Sequence, residues 1–239
     1  MTATALVLIP GLMCDAAVWQ PQMEFFGERM HVQVVDHGDR HSLVAMAENV
    51  LQTAPPTFAL AGHSMGGRVA LEVLRLAPER VSALALLNTG CHALPGGVAA
   101  DKERALRLGF LRLAQEQGVA AMTRSWVRNM VHPARLQDAA LIEGIVSMFA
   151  RKTVAVYEAQ IQALLCRPEQ FDVLPSIRCP VLVLSGQDDL NSPVAVNQEM
   201  VQAIADVQLC ILARCGHMSM QEQPEQVNVE LEKWLMRVF

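Results

Sequence analysis

The sequence predicts an α/β fold: a mostly parallel central sheet with helices on both faces. Three observations carry this. Short, nearly all-apolar runs recur along the chain, as expected of strands buried on both faces. Longer segments with apolar residues at helical spacing lie between them, and that alternation is the signature of parallel strands joined by helical crossovers. Gly and Pro punctuate the joins.

Taken in order, residues 5–9 form the first strand, and Pro10-Gly11-Leu12-Met13-Cys14-Asp15 the loop after it. Residues 18–30 read as a helix around Trp19, Met23 and Phe26, and residues 32–35 as the second strand, ending in the polar stretch 36–42. Apolar side chains at 43, 46, 47, 50 and 51 mark a helix over 43–53, which Pro55 and Pro56 stop. The third strand covers 58–61. Gly62-His63-Ser64-Met65-Gly66-Gly67 turns it into a helix over 68–76, closed by Pro78, and residues 81–87 are the fourth strand.

The pattern then changes. Residues 91–171 hold no convincing strand but four amphipathic runs, 101–117, 119–131, 135–149 and 153–165. This predicts a helical cap (lid) over 91–171, inserted into a core made of 1–90 and 172–239. Packing of helix on helix accounts for most of the cap's large apolar side chains. Two or three of them are left to line a pocket, and Trp126, Met130 and Tyr157 are the candidates, with Met218 from the core. Strand patterning resumes at 180–184, a helix comes next over 193–204, the last strand is 207–212, and a helix over 225–238 ends the pattern.

Composition bounds the function. The 239 residues suffice for one large α/β domain, or one with an insertion; 52% are apolar and 18% charged, which excludes disorder. A net charge of −5, with only three lysines and no basic cluster, argues against a nucleic-acid partner. No apolar run approaches the ~18 residues of a membrane helix. The first ten residues lack a basic region before their apolar run, which Pro10 ends early, so they read as a strand and not a signal peptide. The six cysteines show neither C-x-x-C nor metal-ligand spacing and read as buried reduced thiols of a cytoplasmic protein. The expected partner is a small-molecule substrate, with no membrane, metal or cofactor; the oligomeric state is not encoded.

Strand, G-x-S-x-G, helix is the context of a nucleophile elbow. The turn is so tight that a side chain at 62 or 66 would collide with the neighbouring helix or strand, which explains the two glycines. Ser64 then stands exposed at a helix N-terminus that favours negative charge. A serine hydroxyl needs a base within hydrogen-bond reach and a carboxylate to orient that base. His63 is adjacent in sequence but leaves such a turn in another direction and reads as a packed histidine. His217, the only histidine after position 132, comes after the last strand, with Gly216 giving it a flexible approach. Asp188 and Asp189 come after the preceding strand, so the chain order is Ser, Asp, His. Asp15, Asp36 and Asp39 come early in that order and read as capping or solvated residues. Met65, the residue after the nucleophile, supplies one oxyanion-hole amide.

Pro-Gly-Leu at 10–12, Gly-His-Ser-Met-Gly-Gly at 62–67, Gly-Gln-Asp-Asp at 186–189 and Cys-Gly-His at 215–217 together resemble the α/β-hydrolase superfamily, of the small cap-bearing, carboxylesterase-like type. The likeness spans the chain but is specific only in the sheet parts. It implies that the acid is the last residue of Gly-x-x-Asp, Asp189, leaving Asp188 as a turn residue. It implies that Leu12 provides the second oxyanion amide. Many such enzymes carry His-Gly where this chain has Pro10-Gly11, a difference in a structural position. The implied activity is cofactor-free hydrolysis of an ester, thioester or lactone of a small to medium apolar substrate through an acyl-enzyme. The alternatives are carbon–carbon hydrolysis of ring-cleavage products or enol-lactone hydrolysis on the same triad. A haloalkane dehalogenase would need Asp at position 64, and a non-catalytic binding protein on this fold would normally lack part of the triad.

Overall fold

The computed structural model describes residues 5–238; residues 1–4 and Phe239, and with them the start of the segment read as a strand and not a signal peptide, lie outside the described residues. Six strands form one parallel sheet: β1 (Ala5–Ile9), β2 (His31–Val34), β3 (Phe58–His63), β4 (Val81–Leu87), β5 (Val181–Gly186) and β6 (Val207–Leu212). Their order is β2-β1-β3-β4-β5-β6. The chain steps outward from β1 to β2, then returns past β1 to lay down the rest in sequence. The carboxyl ends of β1 and β3 therefore flank the point where the direction of travel reverses, the crevice in which open α/β sheets bind ligands.

Burial tracks strand position. Every residue of β1, β3 and β5 is buried, whereas the edge strands β2 and β6 are mostly half-buried. The continuous apolar runs of the sequence are thus the central strands, covered on both faces. In register, Leu8 of β1 lies beside Ala61 of β3, and Ala61 beside Ala85 of β4.

The helices are α1 (Gln20–Phe26), α2 (Leu43–Thr53), α3 (Met65–Leu76), α4 (Gly97–Gln117), α5 (Val119–Trp126), α6 (Ala139–Ala150), α7 (Val154–Leu165), α8 (Val194–Ala203), α9 (Ser219–Glu222) and α10 (Pro224–Leu235). Side-chain caps set several starts. Ser42, Asp138 and Thr153 accept from the amides of Ala45, Leu141 and Val156, satisfying donors that the first turn leaves orphaned. The Asp138 cap explains why the run predicted from 135 begins at 139. The run predicted over 18–30 divides into a 3₁₀ turn, Ala16–Trp19, capped by Asp15, and the shorter α1. The run over 119–131 breaks at Trp126 into a 3₁₀ turn. No sequence signal announced α9.

Four helices, α4 to α7, occupy the span between β4 and β5, and α4, α5 and α6 pack in succession with α7 against α4. Trp126 lies at their centre, its ring centroid 5.5 Å from Phe110, 5.6 Å from Phe149 and 6.1 Å from Tyr157. The turn between α6 and α7 is tied to the sheet's loops by Arg151–Asp15, at 2.7 Å, and Lys152–Asp36. Buried Gln160 on α7 accepts from the Met13 amide at 2.8 Å and donates to Gly38 O at 3.0 Å. Asp15 and Asp36, read as capping or solvated, also serve as anchors for this helical unit. Among the described residues no helix is long and apolar enough to cross a membrane.

Candidate active site

The turn from β3 to α3 shows why its residues are what they are. Ser64 has φ of 54° and ψ of −115°, an unfavourable conformation for a non-glycine residue that costs on the order of 1–3 kcal/mol. Its surroundings hold it there. The Ser64 amide donates to Leu87 O at 2.9 Å, and Thr89 Oγ1 donates to Ser64 O at 2.6 Å. A Cβ at position 62 would meet Gly66 O at 2.4 Å, and one at 66 would meet Ile9 O at 2.2 Å. The collisions that the sequence implied are thus with the helix and with β1.

Ser64 Oγ lies 2.9 Å from His217 Nε2, and His217 Nδ1 lies 2.9 and 2.8 Å from the two oxygens of Asp189. A carboxylate only accepts, so Nδ1 carries the proton and Nε2 is left to accept from the serine. Asp189 is 3% exposed. Its Oδ1 also accepts the amides of Asn191 (2.8 Å) and Ser192 (3.0 Å), and its Oδ2 accepts Asn88 Nδ2 (3.0 Å). Burial pushes its pKa up, but His217 and these donors outweigh burial and hold it below the ordinary carboxylate value. Asp188 faces outward, 3.7 Å from His132 Nε2. His63 is buried, with Nε2 donating to His217 O at 2.9 Å; burial and the neighbouring His217 lower its pKa to about 3, so it is a neutral brace.

The loop bearing His217 is fixed, not flexible. A Cβ at Gly216 would sit 2.8 Å from Met130 O and from His132 N, so the glycine permits close packing against the backbone of 130–132. The amides of His217 and Met218 both donate to Met130 O, at 2.7 and 3.2 Å. Buried Glu222 on α9 gathers the rest: it accepts the amides of Gly216 (3.0 Å), Met218 (3.2 Å) and His132 (2.7 Å).

A cavity of about 390 Å³ opens at Ser64 and His217. Leu12 and Met65 line it, and among the described residues neither amide donates to a loop or side-chain acceptor. Trp126, Met130, Tyr157 and Met218 line it too, whereas Met122 on α5 and Met148 on α6 are wholly buried in packing. Asp189 is behind His217, outside the cavity. The sequence reading missed Asn88, Glu222 and Gln160, which hold the loops, and Arg68, Arg107 and Arg167, which line the cavity. Asn88 alone carried a signal: a polar residue just past an apolar strand, at the carboxyl edge where sites gather. The six cysteines are free; Cys14, Cys91 and Cys215 are buried, and Cys166 is exposed. Among the described residues no group of side chains is arranged to hold a metal ion.

The chain as a whole is similar to known proteins. The model of the alpha/beta hydrolase family matches residues 6–230. The (E)-2-((N-methylformamido)methylene)succinate hydrolase of Acinetobacter baylyi is 29% identical over 248 residues, covering 96% of this chain and 89% of its own. The pimeloyl-[acyl-carrier protein] methyl ester esterase of Nitrosomonas europaea is 26% identical, covering 92% and 91%. Among solved structures, a thermophilic esterase from Thermogutta terrifontis, with malate bound, superposes with a TM-score of 0.86 at 25% identity, covering 99% of this chain and 91% of its own.

Proposed function

Because the chain belongs to the α/β-hydrolase family, and the three similar proteins named above are a hydrolase and two esterases, we propose that it is a serine hydrolase acting on an ester, thioester or lactone. The observation that carries this is the continuous Asp189–His217–Ser64 relay, with contacts of 2.8 and 2.9 Å. Ser64 Oγ attacks the carbonyl carbon while His217 Nε2 takes its proton. The amides of Leu12 and Met65 receive the oxyanion, a type of contact whose loss typically costs about 10²- to 10³-fold in rate. His217 returns the proton to the leaving group, then activates the water that releases the acyl group, with Asp189 holding the tautomer throughout.

The helical unit over 91–171 acts as the cap, and Trp126, Met130 and Tyr157 with Met218 form the apolar part of the substrate site. The names of the Nitrosomonas and Thermogutta proteins support ester chemistry, and that of the Acinetobacter protein supports hydrolysis of a small substituted acid. A fluorophosphonate probe tests the reading: it should label Ser64 and no other serine, and turnover of p-nitrophenyl esters should vanish with the label. A labelled protein that turns over a ring-cleavage dienone rapidly, and esters only slowly, would shift the reading to carbon–carbon hydrolysis.

A further inference from the structure

One wall of the cavity at Ser64 is cationic. Arg68, Lys102, Arg107 and Arg167 line it against a single carboxylate, Glu103. Glu103 is already shared. Its oxygens accept from Arg107 Nε and Nη2 at 2.9 and 2.7 Å, and from Arg167 Nη1 and Nη2 at 2.7 and 2.8 Å. Arg68 has no such partner. Its Nη1 donates to His92 O at 2.8 Å, and among the described residues no carboxylate pairs with it. Arg167 Nε donates to that same carbonyl at 3.2 Å.

Two guanidinium groups therefore converge on one neutral acceptor, in a protein whose net charge is −5. Each guanidinium has five N–H donors in a fixed fork, and Arg68 spends one of them here. Burial, and then the charge of Arg167, lower the Arg68 pKa to about 10, which leaves it a cation at neutral pH. Uncompensated charge in a half-buried place is unfavourable unless something binds there. Arg68 is in the first turn of α3, four residues after Ser64, and both residues line the cavity.

Resting on the serine-hydrolase reading, we propose that the cavity selects an anionic substrate: an ester, thioester or lactone bearing a free carboxylate a few bonds from its scissile carbonyl. The carboxylate docks on the free N–H donors of Arg68, whose planar fork matches it, while Arg167, its own fork held by Glu103, adds its positive charge nearby. The carbon chain lies against Trp126 and Met218, and the scissile carbonyl meets Ser64. This narrows the apolar pocket expected from the sequence to an amphiphilic one.

The test compares two substrates, mono-p-nitrophenyl adipate and its methyl-capped diester, which differ in one charge. The wild-type protein should favour the free carboxylate in kcat/KM by about 10- to 100-fold, the range of a charge-assisted hydrogen bond, and the preference should shrink as salt rises. Arg68→Gln should bring the ratio near one, and Arg68→Lys should keep part of it. Melting curves establish that each variant folds; if Arg68→Gln does not, Arg167→Gln reads out the same ratio. A wild-type ratio of one or below overturns the proposal, as does a ratio that survives in a folded Arg68→Gln protein. Fluorophosphonate labelling is run alongside. An unlabelled wild type sinks the hydrolase reading itself, whereas labelling without charge preference sinks the anionic subsite alone.

Discussion

Replacing Asp189 by Asn removes one charge and almost no volume, and the surroundings of the carboxylate dictate the consequence. Two backbone amides, Asn191 and Ser192, point at Oδ1. They claim the single oxygen of an asparagine, so its NH₂ group must take the place of Oδ2. There it faces Asn88 Nδ2, 3.0 Å away, and His217 Nδ1, 2.8 Å away. Facing a donor, Nδ1 gives up its proton, the imidazole carries hydrogen on Nε2, and Ser64 loses its base. In serine proteases this exchange costs about 10⁴ in kcat; here a loss of at least about 10²-fold is expected, measured by single-turnover kinetics on a p-nitrophenyl ester. Asn88 cannot simply flip to compensate. Its Oδ1 receives Ser219 Oγ at 2.5 Å and its Nδ2 also donates to Gly216 O at 3.2 Å.

The unmatched donor pair should therefore cost about 1–3 kcal/mol of stability, a fall in Tm of roughly 2–12 °C for a domain of this size. That loss depends on pH in a definite direction. The native carboxyl is held below its ordinary value of 3.8, so its ionised form stabilises the fold fully above that value and the contribution fades as pH falls through the lower native pKa. The stability gap between wild type and Asp189→Asn should be constant near neutrality and narrow below about pH 4. Asp188→Asn is the control. Its carboxylate is half-exposed and 3.7 Å from His132, so the change should cost under about 1 kcal/mol and less than tenfold in rate. A folded Asp189→Asn protein with turnover within tenfold of wild type would refute the tautomer argument, and a dead Asp188→Asn would exchange the two roles.

Three further outcomes are expected. Ser64→Ala should abolish fluorophosphonate labelling and lower turnover by a factor of order 10⁶, as when a triad acts as a unit; retained turnover would end the reading. Glu222→Gln keeps one acceptor oxygen for the three amides that Glu222 now receives, so a lower Tm and a rate loss of about tenfold or more should appear together, and unchanged kinetics would show that the His217 loop needs no such tether. Native-state alkylation should reach Cys166 first, while Cys14 and Cys215, buried thiols whose pKa values burial pushes up, react only on unfolding; peptide mapping that found Cys14 modified first would contradict its burial.

The sheet was legible because its central strands leave no polar face to confuse the pattern: β1, β3, β4 and β5 are the apolar runs themselves. Ser64 was legible for a steric reason, since the flanking glycines answer to collisions of 2.2 and 2.4 Å. His217 and Asp189 were reached through chain order and a turn motif, and the fold brings both to Ser64. Helix starts failed where a cap decided them, as at Asp138. Asn88, Glu222 and Arg68 escaped because each acts on a partner distant in sequence; Asn88 and Asp189 are 101 positions apart. Locally, Arg68 looks like any solvated cation in the first turns of a helix. Gly216 shows the opposite error: a glycine read as freedom is in fact the mark of a close backbone approach.

Among the described residues, four other than glycine have positive φ: Met13 at 62°, Ser64 at 54°, Asn88 at 51° and Arg214 at 54°. Each comes just after a strand, β1, β3, β4 and β6 in turn, at the carboxyl edge of the sheet. No such residue lies at the opposite edge among those described. Strain of this kind, on the order of 1–3 kcal/mol each, persists only where the surroundings over-determine it. The surroundings are specific in three of the four cases: Gln160 grips the Met13 amide, Thr89 grips Ser64 O, and Ser192 and Ser219 grip Asn88. Gln160 is on α7 and the other three grips lie outside α4–α7, so this helical unit is part of what holds the Leu12–Met13 loop in place. Loosening α7 should therefore disturb the Leu12 amide, the proposed oxyanion donor, before it disturbs the Ser64–His217 contact. Gln160→Ala separates the two. Acylation by a small ester, which needs the oxyanion amide, should slow by about 10- to 100-fold, below the cost of deleting a donor outright. The downfield Nδ1 proton resonance of His217, which reports its hydrogen bond to Asp189, should stay where it is in the wild type, because none of its partners has moved. A shifted resonance with an unchanged acylation rate would show that α7 acts through the histidine instead.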